Sequence, residues 1–335
     1  MVITLPVDSN IPEHHVALAH VADVERRLLA KISDTQEQGT ETCDTFERHL
    51  AYCRVLGNLI HLAPNDSTRS SVALSIAACS DDTQLVELGA SYVQDLLAPQ
   101  EDEMDDAAQG LLKDHHTAKM KALFRDSSRC IATGHIDRSM AKNDITLQGE
   151  IKEEFLRNRC YIPESTRGVH ILPESTGHPD DQTGTSKLWE ILEGFGYESL
   201  CKENAGVGHH RLQNLLTMEP RVCDLFNGLK LWFEPMEREN TYRIKCYHWA
   251  YINLEREVTF TTPDVKSYPL PSRESLEIHA ACCKVMHESG VFTYIDAESN
   301  AEADCDDDEM SCRDEEEDAE SDWSDDEDSK LESSD

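Results

Sequence analysis

The sequence predicts an α+β fold, with a helical region before it and an acidic tail after it. Three observations lead there. Apolar residues repeat at helical spacing through the first third of the chain. Strand-like runs and short helices then alternate as far as residue 296. From residue 297 to the end there is almost nothing to bury. The resulting boundaries are 1–114 for the N-terminal helical region, 115–296 for the mixed part and 297–335 for the tail.

In the first region Val21, Val24, Leu28 and Ile32 share one helix face. Phe46, Leu50, Cys53, Gly57 and Ile60 repeat the pattern until Pro64 stops it. Leu85, Leu88, Tyr92 and Leu96 mark another helix, with Asp81 or Asp82 as its cap. After the charged stretch PQEDEMDD (99–106) a last helix carries Leu112, Met120, Leu123 and Phe124.

The mixed part opens at RCIATG (129–134), an apolar run closed by Gly that predicts a strand and a turn. QGEIKEEFLRNR (148–159) predicts a helix, and GVHILP (168–173) a strand ended by Pro173. TSKLWEILEGFG (185–196) predicts a helix with Leu188, Ile191, Leu192 and Phe195 on its apolar face. RLQNLLTMEPRVCDLFNGLKLWFEP (211–235) reads as strand or loop, short helix, then strand. YRIKCYHW (242–249) alternates as a strand does, and SRESLEIHAACCKVMHESG (272–290) is a helix that stops at Gly290. Trp189, Trp232 and Phe233 read as core.

The tail carries 20 acidic and 2 basic residues, so −18 of the chain's −35 lies there and −17 on residues 1–296. With Trp323 as its one aromatic, the tail is expected to stay disordered, because ordering it costs entropy that no core repays. Ser324 precedes Asp325, Asp326 and Glu327, the pattern of an acid-directed phosphorylation site. A chain acidic even without its tail argues against tight non-specific DNA binding, whereas the tail suits basic protein partners. No apolar run reaches the roughly 18 residues of a membrane span. MVITLPVDSN lacks the basic-then-apolar pattern of a secretory signal. The 12 scattered cysteines contain no C-x-x-C pair, which predicts reduced thiols in an intracellular protein, nuclear or cytoplasmic.

RCIATGHID, VHILP, LWEILEGFG, NLLTMEPRVCDLFNGLKLWFEP and the closing PLPSRESLEIHAACCKVMHESGVFTYID, in that order and spacing, resemble the HNH endonuclease family in its fungal form, over roughly residues 115–296. The resemblance implies a ββα-metal domain, in which a β-hairpin and a helix clamp one divalent metal, Mg²⁺ or Zn²⁺. It implies metal-dependent hydrolysis of DNA phosphodiesters, with His170 as general base on the attacking water. It gives Asn214 the task of orienting the base or its loop, or of a ligand. Cys223, nine residues on, takes the position of a ligand or phosphate contact.

This chain departs from the family at that helix position, where Cys223 replaces the usual His. Val169 stands where an acidic residue or His often precedes the strand His, and Asn227 where Asp is common. Thiolate favours zinc or copper(I) over Mg²⁺. His209 and His210 are close enough in sequence to compensate. Each residue also has a plainer reading: His170 as a surface strand residue, Asn214 as a turn former, Cys223 as a small buried hydrophobe. The expected function is therefore an HNH-type hydrolase with activity weakened or lost. The alternative is a catalytically degenerate scaffold whose acidic tail binds basic partners.

Overall fold

The computed structural model describes residues 11–36, 42–63, 66–97, 109–158, 161, 163–173, 189, 192–193, 197–247 and 256–295. Helices α1 (Pro12–Gln36), α2 (Thr42–Leu62), α3 (Asp66–Ala78) and α4 (Asp82–Leu96) pack together, with α2 touching the other three. The spacing predicts the buried Val21, Val24, Leu28 and Ile32 of α1, Leu50, Cys53 and Ile60 of α2, and Leu85 and Tyr92 of α4, whereas Phe46, Leu88 and Leu96 are half-buried and α2 also buries Val55, Leu56 and Leu59. Asp81 caps α4, accepting the Gln84 N–H at 2.9 Å. Helix α3 has no counterpart in the sequence reading; among its many Ser, Thr and Ala residues only Val72, Ala73 and Ile76 form an apolar buried patch. Gly89 lets α4 cross α2 closely, since a Cβ there would stand 2.3 Å from the Tyr52 carbonyl oxygen.

Helix α5 (Gln109–Arg125) leads into the mixed part. It buries Ala118, Ala122 and Leu123 but leaves Met120 and Phe124 exposed, against expectation. Phe124 instead meets the Tyr268 ring at 4.7 Å. The RCIATG strand is a correction. That segment turns back on itself, with Cys130 N–H bonded to the His135 carbonyl and Gly134 N–H to that of Cys130. Its ladder shrinks to one Arg129–Ile136 bridge. Two short helices follow, α6 (Arg138–Ala141) and α7 (Ile145–Arg157).

Strand β1 (Arg167–His170) pairs antiparallel with β2 (Leu215–Met218), Arg167 opposite Met218 and His170 opposite Leu215. Between them lie α8 (Glu198–Glu203) and two 3₁₀ turns, Gly206–His210 and Leu212–Asn214. Most of the expected 185–196 helix falls outside the described residues. Trp189 is buried, and its indole N–H reaches the Pro173 carbonyl at 3.2 Å.

After β2 come α9 (Pro220–Asn227), β3 (Leu231–Pro235), β4 (Thr241–Cys246), β5 (Glu257–Thr259) and α10 (Arg273–Ser289). The 211–235 unit is strand, helix, strand as read, but its strands serve different sheets. β2 belongs with β1, and β3 joins an antiparallel sheet ordered β3–β4–β5. Leu229, not Gly228, takes the left-handed position after α9, with φ of 55°. Its neighbour Lys230 returns an N–H to the Leu225 carbonyl, closing the helix end. Trp232 and Phe233 are core residues. Ser272 caps α10 and Gly290, at φ of 78°, ends it. Because α10 packs on both β3 and α2, the N-terminal helices and the mixed part form one unit, Met1–Phe292. Ser324 and the acidic tail lie outside the described residues. Among the described residues, no helix is long and apolar enough to cross a membrane.

Candidate metal centre

The β1–β2 hairpin lies between α5 and α9, and strand alternation assigns its residues to one side or the other. A Cβ at Gly168 would meet the Lys119 Cβ of α5 at 3.4 Å, so His170, two residues on, shares the α5 face. Arg167 and Val169 take the other face, where the Arg167 guanidinium lies 3.9 Å from Asp224 of α9. On the α5 side Ala118, Ala122, Leu212 and Leu215 form a small core.

The α5 side is fixed by Arg125, which is 0 % exposed. Its guanidinium pairs with Asp126 at 2.7 Å and donates to the carbonyls of Leu212 at 2.8 Å and Leu215 at 2.9 Å. A buried cation is tolerable here because its donors meet a carboxylate and the backbone leading into β2.

Backbone pairing continues one step past His170, where the Ile171 N–H donates to the Asn214 carbonyl at 2.8 Å, and at Leu172 a side chain takes over. Asn214 is 0 % exposed. Its Oδ1 accepts the Leu172 N–H at 3.0 Å and its Nδ2 donates to the Leu172 carbonyl at 2.9 Å. The same Nδ2 donates to the His209 carbonyl at 3.2 Å and lies 3.4 Å from His209 Nδ1. Asn214 thereby splices the first 3₁₀ turn onto the end of β1.

The splice creates a corner of three imidazoles. His170 is half-buried, and His209 and His210 are 8 % and 7 % exposed. His170 Nε2 lies 3.0 Å from His210 Nδ1, so one nitrogen carries a proton and the other accepts it. The His170 and His209 rings stack at 3.7 Å between centroids. One ligand atom from each of the three residues lies within 4.8 Å of the other two, an arrangement that could hold a metal ion.

The structure places Asn214 at the His170 corner through its bond to the His209 carbonyl and the His170–His209 stack, and adds His209 and His210. It does not bring Cys223 to them, and this is the main correction. Cys223 is 0 % exposed, with its thiol directed at the Met218 carbonyl, 3.6 Å away. Met218 faces Arg167, at the opposite end of β1 from His170. At about 3.3 Å per residue, that is roughly 10 Å along the strand. The divalent site implied by the nuclease resemblance does not fit these residues. Val169 offers no donor, the Cys223 thiol is enclosed, and among the described residues no carboxylate joins His170 in the cluster.

Other titratable groups have structural work. His135 Nδ1 lies 3.0 Å from Glu219, which also accepts from Thr133, pinning the 129–136 turn to the start of α9. His279 of α10 stacks on Phe226 at 3.7 Å, and its Nε2 lies 3.1 Å from the Phe226 carbonyl. Burial holds this imidazole neutral, with its pKa down to about 4. The Cys283 thiol, 3.5 Å from His279 Nδ1, is pushed up by the same burial and stays protonated.

The sequence shows the His209–His210 doublet but not its partner, because the meeting depends on a turn that Asn214 ties back to β1. In comparisons with known proteins, no family model, curated protein or solved structure matches the chain.

Proposed function

We propose that the chain is a catalytically degenerate relative of the HNH nucleases, a hairpin–helix scaffold that binds partners and no longer hydrolyses DNA. The order β1, β2, α9 supports the kinship. The separation of Cys223 from His170 carries the loss of activity. A general base must present a lone pair to water beside a metal that shares the same phosphate. Here His170 Nε2 is engaged with His210, and the helix position that should complete the site lies closed at the far end of the hairpin. The charge of −17 on residues 1–296 also works against a polyanionic substrate, and the −18 of the tail favours basic partners.

Supercoiled plasmid incubated with the full chain and Mg²⁺ or Mn²⁺ tests the reading. Nicking should be no faster than with the His170→Ala variant. Rapid nicking by the unmodified chain, abolished in His170→Ala, would contradict it.

A further inference from the structure

We propose that His170, His209 and His210 form a transition-metal site of the zinc class, in which His170 serves as a ligand and not as a base. The inference rests on the corner itself and not on kinship with nucleases.

Three features of the corner point the same way. The donors come from two separate elements, the end of β1 and a 3₁₀ turn, and they converge although the chain between them is long. Two of the three rings are almost fully buried, and the third opens to solvent. Zinc bound to three imidazoles at 2.0–2.1 Å needs its nitrogens about 3.3 Å apart in a tetrahedral arrangement. The His170–His210 pair already stands at 3.0 Å, and the whole donor set lies within 4.8 Å. Small ring rotations, at the expense of the His170–His209 stack, bring the third nitrogen in.

The donor set also selects the metal. Imidazole nitrogens suit Zn²⁺, Ni²⁺ and Cu²⁺, while Mg²⁺ prefers oxygen and its own water. Three protein ligands leave a fourth position, which a water fills in sites of this class. Asn214 positions the site through the His209 backbone without touching the ion. One lone pair cannot both bind a cation and take a proton, so a loaded site removes His170 from base catalysis.

The test is a calorimetric titration of the full chain with ZnCl₂ and, separately, MgCl₂, repeated on His209→Gln, His210→Gln and, as a distant control, His135→Gln. One tight zinc site per chain is expected, above the weak binding of the acidic residues, with no tight Mg²⁺ site. Each corner variant should weaken zinc at least tenfold, and His135→Gln should leave it unchanged. Co²⁺ added to the unmodified chain gives an independent reading that needs no variant to fold. The expected spectrum has the visible bands of a four-coordinate nitrogen site and no thiolate-to-metal charge transfer. Unchanged zinc affinity in both folded corner variants, or a thiolate band with Co²⁺, would overturn the assignment.

Discussion

Replacing Asn214 with Ala should cost more stability than any other single polar truncation in the hairpin. The side chain is 0 % exposed and makes three bonds to backbone, at 3.0 Å and 2.9 Å to Leu172 and at 3.2 Å to the His209 carbonyl. Ala leaves one N–H and two carbonyls without that partner. A buried group left unsatisfied costs about 1–3 kcal/mol, and carbonyls tolerate the loss better than N–H groups. Together these give a loss of about 3–5 kcal/mol, a large fraction of the 5–15 kcal/mol typical of a whole domain. Urea unfolding followed by tryptophan fluorescence reads it, since Trp189 and Trp232 are both buried. The midpoint should fall at unchanged m. A loss under about 1 kcal/mol would refute the idea that this amide splices the turn to the strand. Zinc affinity should fall with it, by about 10- to 100-fold, as for a residue that supports a ligand.

Cys223→His should show no Mg²⁺-dependent nicking and should cost at least about 1–3 kcal/mol, because a larger ring must enter a site with 0 % exposure; denaturation and the plasmid assay check both halves. Gly89→Ala should destabilise by several kcal/mol (on the order of 3), since its Cβ would collide with the Tyr52 carbonyl; thermal unfolding measures it, and a near-neutral result would mean the helices separate easily. His279 adds a pH dependence with a definite sign. Its folded pKa of about 4 lies below the unfolded value near 6.5, so the unfolded chain takes up the proton first as pH falls. Its contribution is complete above about pH 6.5 and is lost towards pH 4, by up to about 3 kcal/mol. Stability measured across that window should fall less steeply in a folded His279→Gln variant than in the unmodified chain.

What the sequence disclosed depended on how local the cause was. Helix α10 was legible because Ser272, the apolar face and Gly290 all lie within or beside it. The Asp81 cap of α4 was legible for the same reason. RCIATG departs from the strand its sequence predicts because a short apolar run suits a strand or a tight turn equally well, and one of the bonds that holds the turn comes from far away, the Ile131 N–H meeting the Thr217 carbonyl at 2.8 Å. Helix α3 leaves little trace in the sequence because its buried residues are few and small. The pairing of β1 with β2 needs long-range closure across the intervening loop, and no local pattern sets its register. That register decides the site. His170, Asn214 and Cys223 could each be named from the sequence, but which end of the hairpin each occupies could not.

X-ray absorption at the zinc edge, on the full chain loaded with one equivalent of zinc, tests the central claim most directly. Three imidazole nitrogens and one light-atom ligand should appear at about 2.0–2.1 Å, with no sulfur shell. A sulfur scatterer near 2.3 Å would put a cysteine such as Cys223 at the metal, contradicting both the three-histidine corner and the proposal that Cys223 stands apart from it.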